Sequence, residues 1–457
     1  MDAGAHQAGW SSDSPDWLVQ RAINSPDRIA LMDGDRRLSY AELRQAAAKA
    51  ARRLGALGAG RGSTVGLSLT PGLDCAIVLH ALISLGARVE MLPPGAARST
   101  DTQPSLVISD LSQLDGPERE VELLEAHDPA EVLFRMQTSG TSGKPKRVGL
   151  TYANFLWSAI GSAFNLGVDP ADRWLCCLPL HHVAGLSILI RSAIYGTGAL
   201  IQPRFDVERV AESLEAGQAT VISLVATQLA RLVRAGADLS SPRALLVGGG
   251  AVPQELLAEA TGGGARVVQT YGMTETCAQV TALSPGEAKH RLGSAGRPLL
   301  GSRVRISVDG EILVAGPTVA PGSLSADGWL HSGDLGRLDD DGHLYVRDRI
   351  SDTIVSGGEN IAPSEVEVVL ESHPEVLEAA VIGRPDPEWQ EAVTAVIVSA
   401  DGARPPGAEE LRRHCAERLA RHQVPKRFEF VGELPRSASG KLLRRMLRDR
   451  PVSSADP

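Results

Sequence analysis

Short runs of β-forming residues hand over repeatedly to longer apolar stretches along this 457-residue chain, and that alternation constrains the fold more than any single motif. TVGLSL at 64–69 precedes a helix-like stretch at 73–86, WLCCL at 174–178 precedes 183–195, and ALLVGG at 244–249 precedes 253–260. A strand followed by a helix returns to its own sheet as a parallel neighbour, so the pattern predicts an α/β region of mostly parallel sheets with helices on both faces. Between 302 and 347 the texture changes to short strand-like runs punctuated by Asp309-Gly310, Asp327-Gly328 and Asp341-Gly342. Asp-Gly favours tight hairpin turns, so a small barrel-like portion is expected there. After Arg349 the pattern restarts on a smaller scale. Pro363 suits the first turn of a helix running to about Ser372, with strands at 378–383 and 392–399 and a helix at 408–420. The expected division is a large N-terminal domain at 1–348, a small α+β domain at 352–457, and a connection at 349–351.

Composition narrows the function classes. Hydrophobic residues make up 43% and charged residues 22%, as in a globular protein that buries a sizeable core. A formal net charge of −9 argues against a nucleic-acid partner. The five cysteines (Cys75, Cys176, Cys177, Cys277 and Cys415) form no CxxC pair and no Cys/His metal spacing, which fits a reducing compartment. The start, MDAGAHQAGWSSDSPDW, has no basic segment leading into an apolar one, and no apolar run reaches the length of a membrane span. A cytoplasmic protein is expected.

Residues 138–146 read TSGTSGKPK. Gly140 and Gly143 allow backbone N–H groups to approach a polyphosphate, Thr138, Ser139, Thr141 and Ser142 add hydroxyl donors, and Lys144 and Lys146 add positive charge. The spacing excludes a Walker A loop, because only Thr141 and Ser142 separate the two glycines. Alone, such a run also reads as a linker.

It does not stand alone. LPLHHVAG at 178–185, GGGAVP at 248–253, TYGMTET at 270–276, GWLHSGD at 328–334, DRISDTIVSGGENI at 348–361 and PRSASGK at 435–441 follow it in order. Together these segments resemble the adenylate-forming superfamily of acyl-CoA and aryl-CoA ligases, adenylation domains and luciferases. That resemblance implies a carboxylate substrate, ATP, Mg²⁺ and CoA as co-substrate, and a small C-terminal domain that rotates about Ser351 between two catalytic orientations. It implies that 138–146 cradles the β- and γ-phosphates, that Thr274 donates to the α-phosphate, and that Glu275 holds the metal, a hard cation that prefers oxygen. Gly249, Gly250 and Ala251 would lie against adenine and acyl group, with Tyr271 and Gly272 beside the nucleotide. Asp334 would accept the ribose hydroxyls and Arg349 would approach ribose and phosphate. Lys441 matches the mobile catalytic lysine of adenylation, His182 the histidine between the two half-reactions, and Gly357 and Gly358 the tunnel for the thiol. Each residue also has an ordinary reading: surface charge, glycine-rich helix entry, structural histidine or tail lysine. His181 stands where the family commonly has an aromatic ring. The stretches 91–134 and 316–329 look shorter than the family usually shows, so either a peripheral helix is absent or the N-terminal part is pared down.

Substrate choice turns on one charge. GLSILIRSAIYG at 185–196 is apolar except for Arg191, and a charge in such a helix requires either an internal ion partner or a ligand. HHVAGLSILIRSAIYG followed by TYGMTETCAQVTALSP resembles the o-succinylbenzoate–CoA ligases of menaquinone synthesis, which implies that Arg191 reads the aromatic carboxylate of the acid. Thr227, with Val225 and Gln228, is a weaker pocket candidate that also reads as helix entry. The alternatives are another aryl- or fatty acyl-CoA ligase, a carrier-loading adenylation enzyme, and a non-catalytic nucleotide-binding scaffold. The oligomeric state, monomer or homodimer, is left open.

Overall fold

The computed structural model describes residues 13–96, 104, 106–139, 145–400, 405–436 and 442–450. Two largely parallel sheets carry the N-terminal region. The larger has nine strands, ordered Arg297–Pro298, Thr281–Ala282, Val267–Tyr271, Ala244–Gly248, Val221–Val225, Arg173–Cys176, Gly198–Ile201, Ile29–Asp33 and Arg36–Ser39. From Val267–Tyr271 to Ile29–Asp33 every neighbour pair is parallel, and the antiparallel strands lie at the edges. The second sheet, of five strands, runs Leu106–Ile108, Thr64–Leu67, Arg88–Met91, Val132–Ser139 and Pro145–Thr151. The α/β expectation is borne out.

So is the change of texture near 302. Arg303–Ile306, Glu311–Ala315, Leu330–Leu338 and Leu344–Arg349 form a four-stranded antiparallel sheet. Asp309-Gly310 and Asp341-Gly342 make two of its hairpin turns, whereas Asp327-Gly328 makes a local turn before the third strand. Farther on, Glu359–Ile361, Ile354–Ser356, Gln390–Ser399, Val376–Asp386 and Arg427–Phe430 form another sheet, with helices Pro363–Glu371 and Ala408–Ala416 packed on each other. Between Met91 and Val132 the described residues hold one short 3-10 turn, Leu111–Leu114, and no α-helix.

Helix Val183–Tyr195 is the spine of the N-terminal core. It is apolar almost all round and therefore buried. Leu186 and Ile190 are fully buried, each contributing on the order of 1.5–3 kcal/mol of transfer free energy. Its last carbonyls are met by the Arg21 guanidinium, which reaches Ala193 O at 3.3 Å and also Ile194 O. A separate apolar cluster around Ile354, Val366, Leu370, Val381, Ile397 and Leu411 fills the sheet that follows Arg349. All five cysteines are buried. Burial pushes the Cys75, Cys177 and Cys277 thiols up to about 12 and that of Cys415 up to about 11. No described helix is long and apolar enough to cross a membrane.

Candidate active site

Four adjacent parallel strands of the nine-stranded sheet end at the same edge, where parallel sheets place their ligands. Arg173–Cys176 leads to His181 and His182, Val221–Val225 to Thr227, Ala244–Gly248 to Gly249, Gly250 and Ala251, and Val267–Tyr271 to Gly272, Thr274 and Glu275. Sequence segments up to a hundred residues apart thus meet on one rim. The two ends of the TSGTSGKPK run are antiparallel strand neighbours: Thr138 pairs with Lys146 and Ser139 with Pro145. Thr138 Oγ1 lies 3.3 Å from the Lys146 carbonyl oxygen. The tip, with Gly140, Thr141, Ser142, Gly143 and Lys144, lies outside the described residues. Strand Pro145–Thr151, which continues from the run, packs against the Thr274–Thr276 turn.

The turn after Tyr271 is the tightest piece of backbone on this rim. Cys277 and Ala278 both have positive φ, 51° and 84°, unusual for residues with a Cβ. Gly272 passes so close beneath them that a Cβ there would lie 1.6 Å from Ala278 O. The Met273 carbonyl accepts from Thr276 N at 3.2 Å and Ala278 N at 3.2 Å, and Ala320 N donates to Glu275 O at 2.8 Å. The Glu275 carboxylate is half-buried and makes no hydrogen bond or ion pair among the described residues. A half-buried carboxylate without a protein partner among the described residues fits Mg²⁺, a hard cation that prefers oxygen.

Tyr271, Asp334 and Arg349 come together from three segments. Tyr271 Oη donates to Asp334 Oδ2 at 2.9 Å, and Arg349 Nε lies 3.1 Å from Asp334 Oδ1. Burial, reinforced by the Asp334 charge, raises the Tyr271 hydroxyl above its ordinary pKa, so it stays a donor. Asp334 is 6% exposed and sits where the ladder to Leu344–Arg349 shifts register, between Asp334 and Gly336. Such a bulge re-aims a side chain. An ionised carboxylate has about four lone-pair sites, so two remain for other donors.

His182 caps helix Val183–Tyr195, and its buried Nε2 has no hydrogen-bond partner among the described residues. Burial lowers its pKa, and the helix N-terminus also favours the neutral ring. His181 stacks obliquely on it, with ring centroids 4.4 Å apart, and burial plus its neighbour lower it to about 4.

Arg191 is 2% exposed. One amine donates to Ser158 Oγ at 2.8 Å, the guanidinium lies 5.9 Å from the Trp174 ring centroid, and Nε has no hydrogen-bond partner among the described residues. Among the described residues no carboxylate lies within ion-pair distance of Arg191, whose neighbours are Ser158 and Trp174. Gln228 Oε1 accepts from Val225 N at 3.0 Å at the helix entry, and the amide N–H donors are not engaged by that bond. Thr227 is half-buried beside it.

Gly357 and Gly358 form the exposed turn of hairpin Ile354–Ser356/Glu359–Ile361, with φ of 60° and 84°. The turn rests on Trp389, whose carbonyl accepts from Gly357 N at 2.9 Å; no described hydrogen bond joins it to the strand-end rim. Ser351 is exposed in the 3-10 turn Ile350–Asp352 that directly follows Arg349. Lys441 lies outside the described residues, next to the bridge pairing Arg436 with Leu442. Two residues escaped the sequence reading: Ser158, which joins Arg191 to the rim, and Ser332, whose Oγ accepts from Asp334 N at 3.0 Å. The only available signal for Ser158 was a hydroxyl inside the apolar run YANFLWSAIGSAFNL.

The AMP-binding enzyme model matches residues 18–110 and 96–324, and the AMP-binding enzyme C-terminal domain model matches 365–441. A 2-succinylbenzoate–CoA ligase of Bacillus licheniformis is 42% identical over 95% of this chain and 99% of its own length. The o-succinylbenzoate CoA synthetase (MenE) of Bacillus subtilis, solved in complex with the acyl-adenylate intermediate OSB-AMP, superposes with a TM-score of 0.88 at 38% identity, covering 96% of this chain and 99% of the other. The same enzyme solved with ATP and magnesium ion gives 0.86 at 38% identity, covering 96% and 100%. The chain belongs to the family of AMP-binding enzymes.

Proposed function

We propose that this protein is a 2-succinylbenzoate–CoA ligase of menaquinone synthesis, an AMP-forming acid–thiol ligase. The observation that carries the reading is 42% identity, sustained over 95% of the chain, with a relative of that activity. In the first half-reaction a substrate carboxylate oxygen attacks the α-phosphorus of ATP. A new O–P bond forms, the bond to the β-phosphate breaks, and pyrophosphate leaves with the electron pair. In the second, the CoA thiolate attacks the acyl carbon and AMP departs.

The catalytic task is to bring two anions together and stabilise charge on the α-phosphate. Mg²⁺, when bound at Glu275, neutralises phosphate charge. The run 138–146 supplies donors and lysine charge to the outer phosphates, and Thr274 donates to the α-phosphate. Asp334, fixed by Tyr271 and Arg349, has acceptor capacity left for the ribose hydroxyls. Gly249, Gly250 and Ala251 offer an exposed, side-chain-poor ledge for adenine and acyl group. Arg191, buried without a carboxylate among the described residues, suits the second carboxylate of the acid, with Thr227 beside the pocket. Lys441 neutralises charge during adenylation. Rotation of 352–457 about Ser351 against 1–348 then brings Gly357 and Gly358 to the thiol path, which His182 lines as a neutral ring. The cytoplasm, where ATP and CoA are available, is the proposed location.

The test is ATP-dependent pyrophosphate release with 2-succinylbenzoate, benzoate, 4-substituted benzoates and medium-chain fatty acids, each with and without CoA. Strong preference for 2-succinylbenzoate, with sustained turnover only when CoA is present, is expected. Activity confined to the other acids would keep the mechanism and discard the substrate. Silence with every acid would favour a nucleotide-binding scaffold.

A further inference from the structure

Ser158 sits on helix Tyr152–Leu166, 3% exposed, and touches two charged or strained neighbours at once. Its Oγ accepts from Arg191 at 2.8 Å and donates to the Cys277 carbonyl at 2.6 Å. The directions are forced: a guanidinium can only donate, so the hydroxyl proton is left for the carbonyl. That carbonyl belongs to the first of the two left-handed residues, Cys277 and Ala278, which close the turn carrying Thr274 and Glu275. Left-handed backbone at residues with a Cβ costs roughly 1–2 kcal/mol each and persists only where surroundings hold it. Around this turn the side-chain anchor reaching in from another element is Ser158.

We propose that Ser158 is a positioning residue for adenylation. By holding the Cys277 carbonyl it fixes the Glu275 carboxylate for the magnesium of the nucleotide, and through the same hydroxyl it ties that turn to Arg191. The metal half of this rests on the assignment of Glu275 made above and is independent of which acid the enzyme takes. Occupancy of the acid site at Arg191 and of the metal site at Glu275 are thereby joined through one oxygen atom.

The experiment measures ATP affinity with and without Mg²⁺, by calorimetric titration in the absence of any acid, for the wild type, Ser158→Ala and Ser158→Thr, with melting temperatures recorded alongside. In the wild type Mg²⁺ is expected to tighten ATP binding about tenfold or more, and Ser158→Ala should lose most of that gain, the size expected when a charge-linked buried hydrogen bond is removed. Affinity for metal-free ATP should stay within about twofold, and Ser158→Thr, which keeps the hydroxyl, should restore the magnesium effect. A lower melting temperature in Ser158→Ala with the magnesium effect intact would reduce Ser158 to a structural role and overturn the proposal. Equal loss in the Ala and Thr variants, or a wild type indifferent to Mg²⁺, would overturn it as well. Since no acid is present, failure of the 2-succinylbenzoate reading leaves this outcome readable.

Discussion

Two left-handed turns in this molecule are built in opposite ways. At Gly357–Gly358 the chain turns with two glycines, in the open, at little cost. At Cys277–Ala278 it adopts similar angles with side chains present, Cys277 buried and Ala278 half-buried behind the rim. The first turn needs only its hairpin and Trp389. The second is held by Ser158, by Ala320 and by the close passage of Gly272. A turn that must travel, as the proposed mechanism asks of Gly357–Gly358, gains nothing from strain. One that holds a metal ligand in place, as proposed for Glu275, gains from being over-determined.

The sharpest way to break this contrast is Gly272→Ala. Its Cβ would overlap Ala278 O, a backbone atom that cannot swing aside, so the turn must open. Loss of adenylation, with destabilisation of about 3 kcal/mol or more, is expected in pyrophosphate release and chemical denaturation. Wild-type activity would mean that the tight passage is dispensable.

A second effect separates the two regions by pH. Burial raises Glu371, on the helix packed against the C-terminal sheet, to about 7 from its ordinary 4.5. The folded protein then holds that proton between those two values while the unfolded chain releases it, so stability falls as pH rises through that window. Glu371→Gln keeps the acceptor for Ala379 N and removes the charge. It should stabilise the protein by on the order of 2 kcal/mol at pH 8 and by far less at pH 4.5, read from melting at both. His181 acts oppositely near the rim. Being lowered to about 4, it costs stability only as pH falls below its ordinary 6.5.

Smaller effects test the turns themselves. Gly358→Ala meets no atom within 4 Å but keeps φ at +84°, so a loss of about 1 kcal/mol is expected, with adenylation intact and thioester formation slowed. Ala278→Gly relieves strain and should raise stability by about 0.5 kcal/mol or less while lowering the rate of pyrophosphate release. A faster enzyme would show that the strain has no positioning value.

Much of this was legible in the chain. Alternating runs foretold the parallel sheets, two of the three Asp-Gly pairs foretold hairpin turns, and the ordered motifs named the rim residues before any were placed. What stayed hidden depends on register and packing. Asp334 meets Tyr271 because a ladder shifts between Asp334 and Gly336, which no local pattern encodes. Gln228 has a capping duty that the sequence did not show, its Oε1 accepting from Val225 N at the helix entry. Arg191 could be read either way from its apolar setting, and only packing shows that among the described residues its guanidinium meets Ser158 and Trp174. Ser158 carried no charge and no motif, only a hydroxyl whose two partners lie 33 and 119 residues away.

The cysteines give the burial pattern a chemical meaning. An enzyme that makes an acyl-adenylate generates, inside itself, an electrophile that any thiolate can capture. Here each of the five thiols is enclosed and pushed up to about 11 or beyond, including Cys277, two residues from Glu275. At neutral pH the protein therefore presents its own activated acyl group with no competing nucleophilic sulfur, and the incoming thiol meets an intermediate protected from self-acylation.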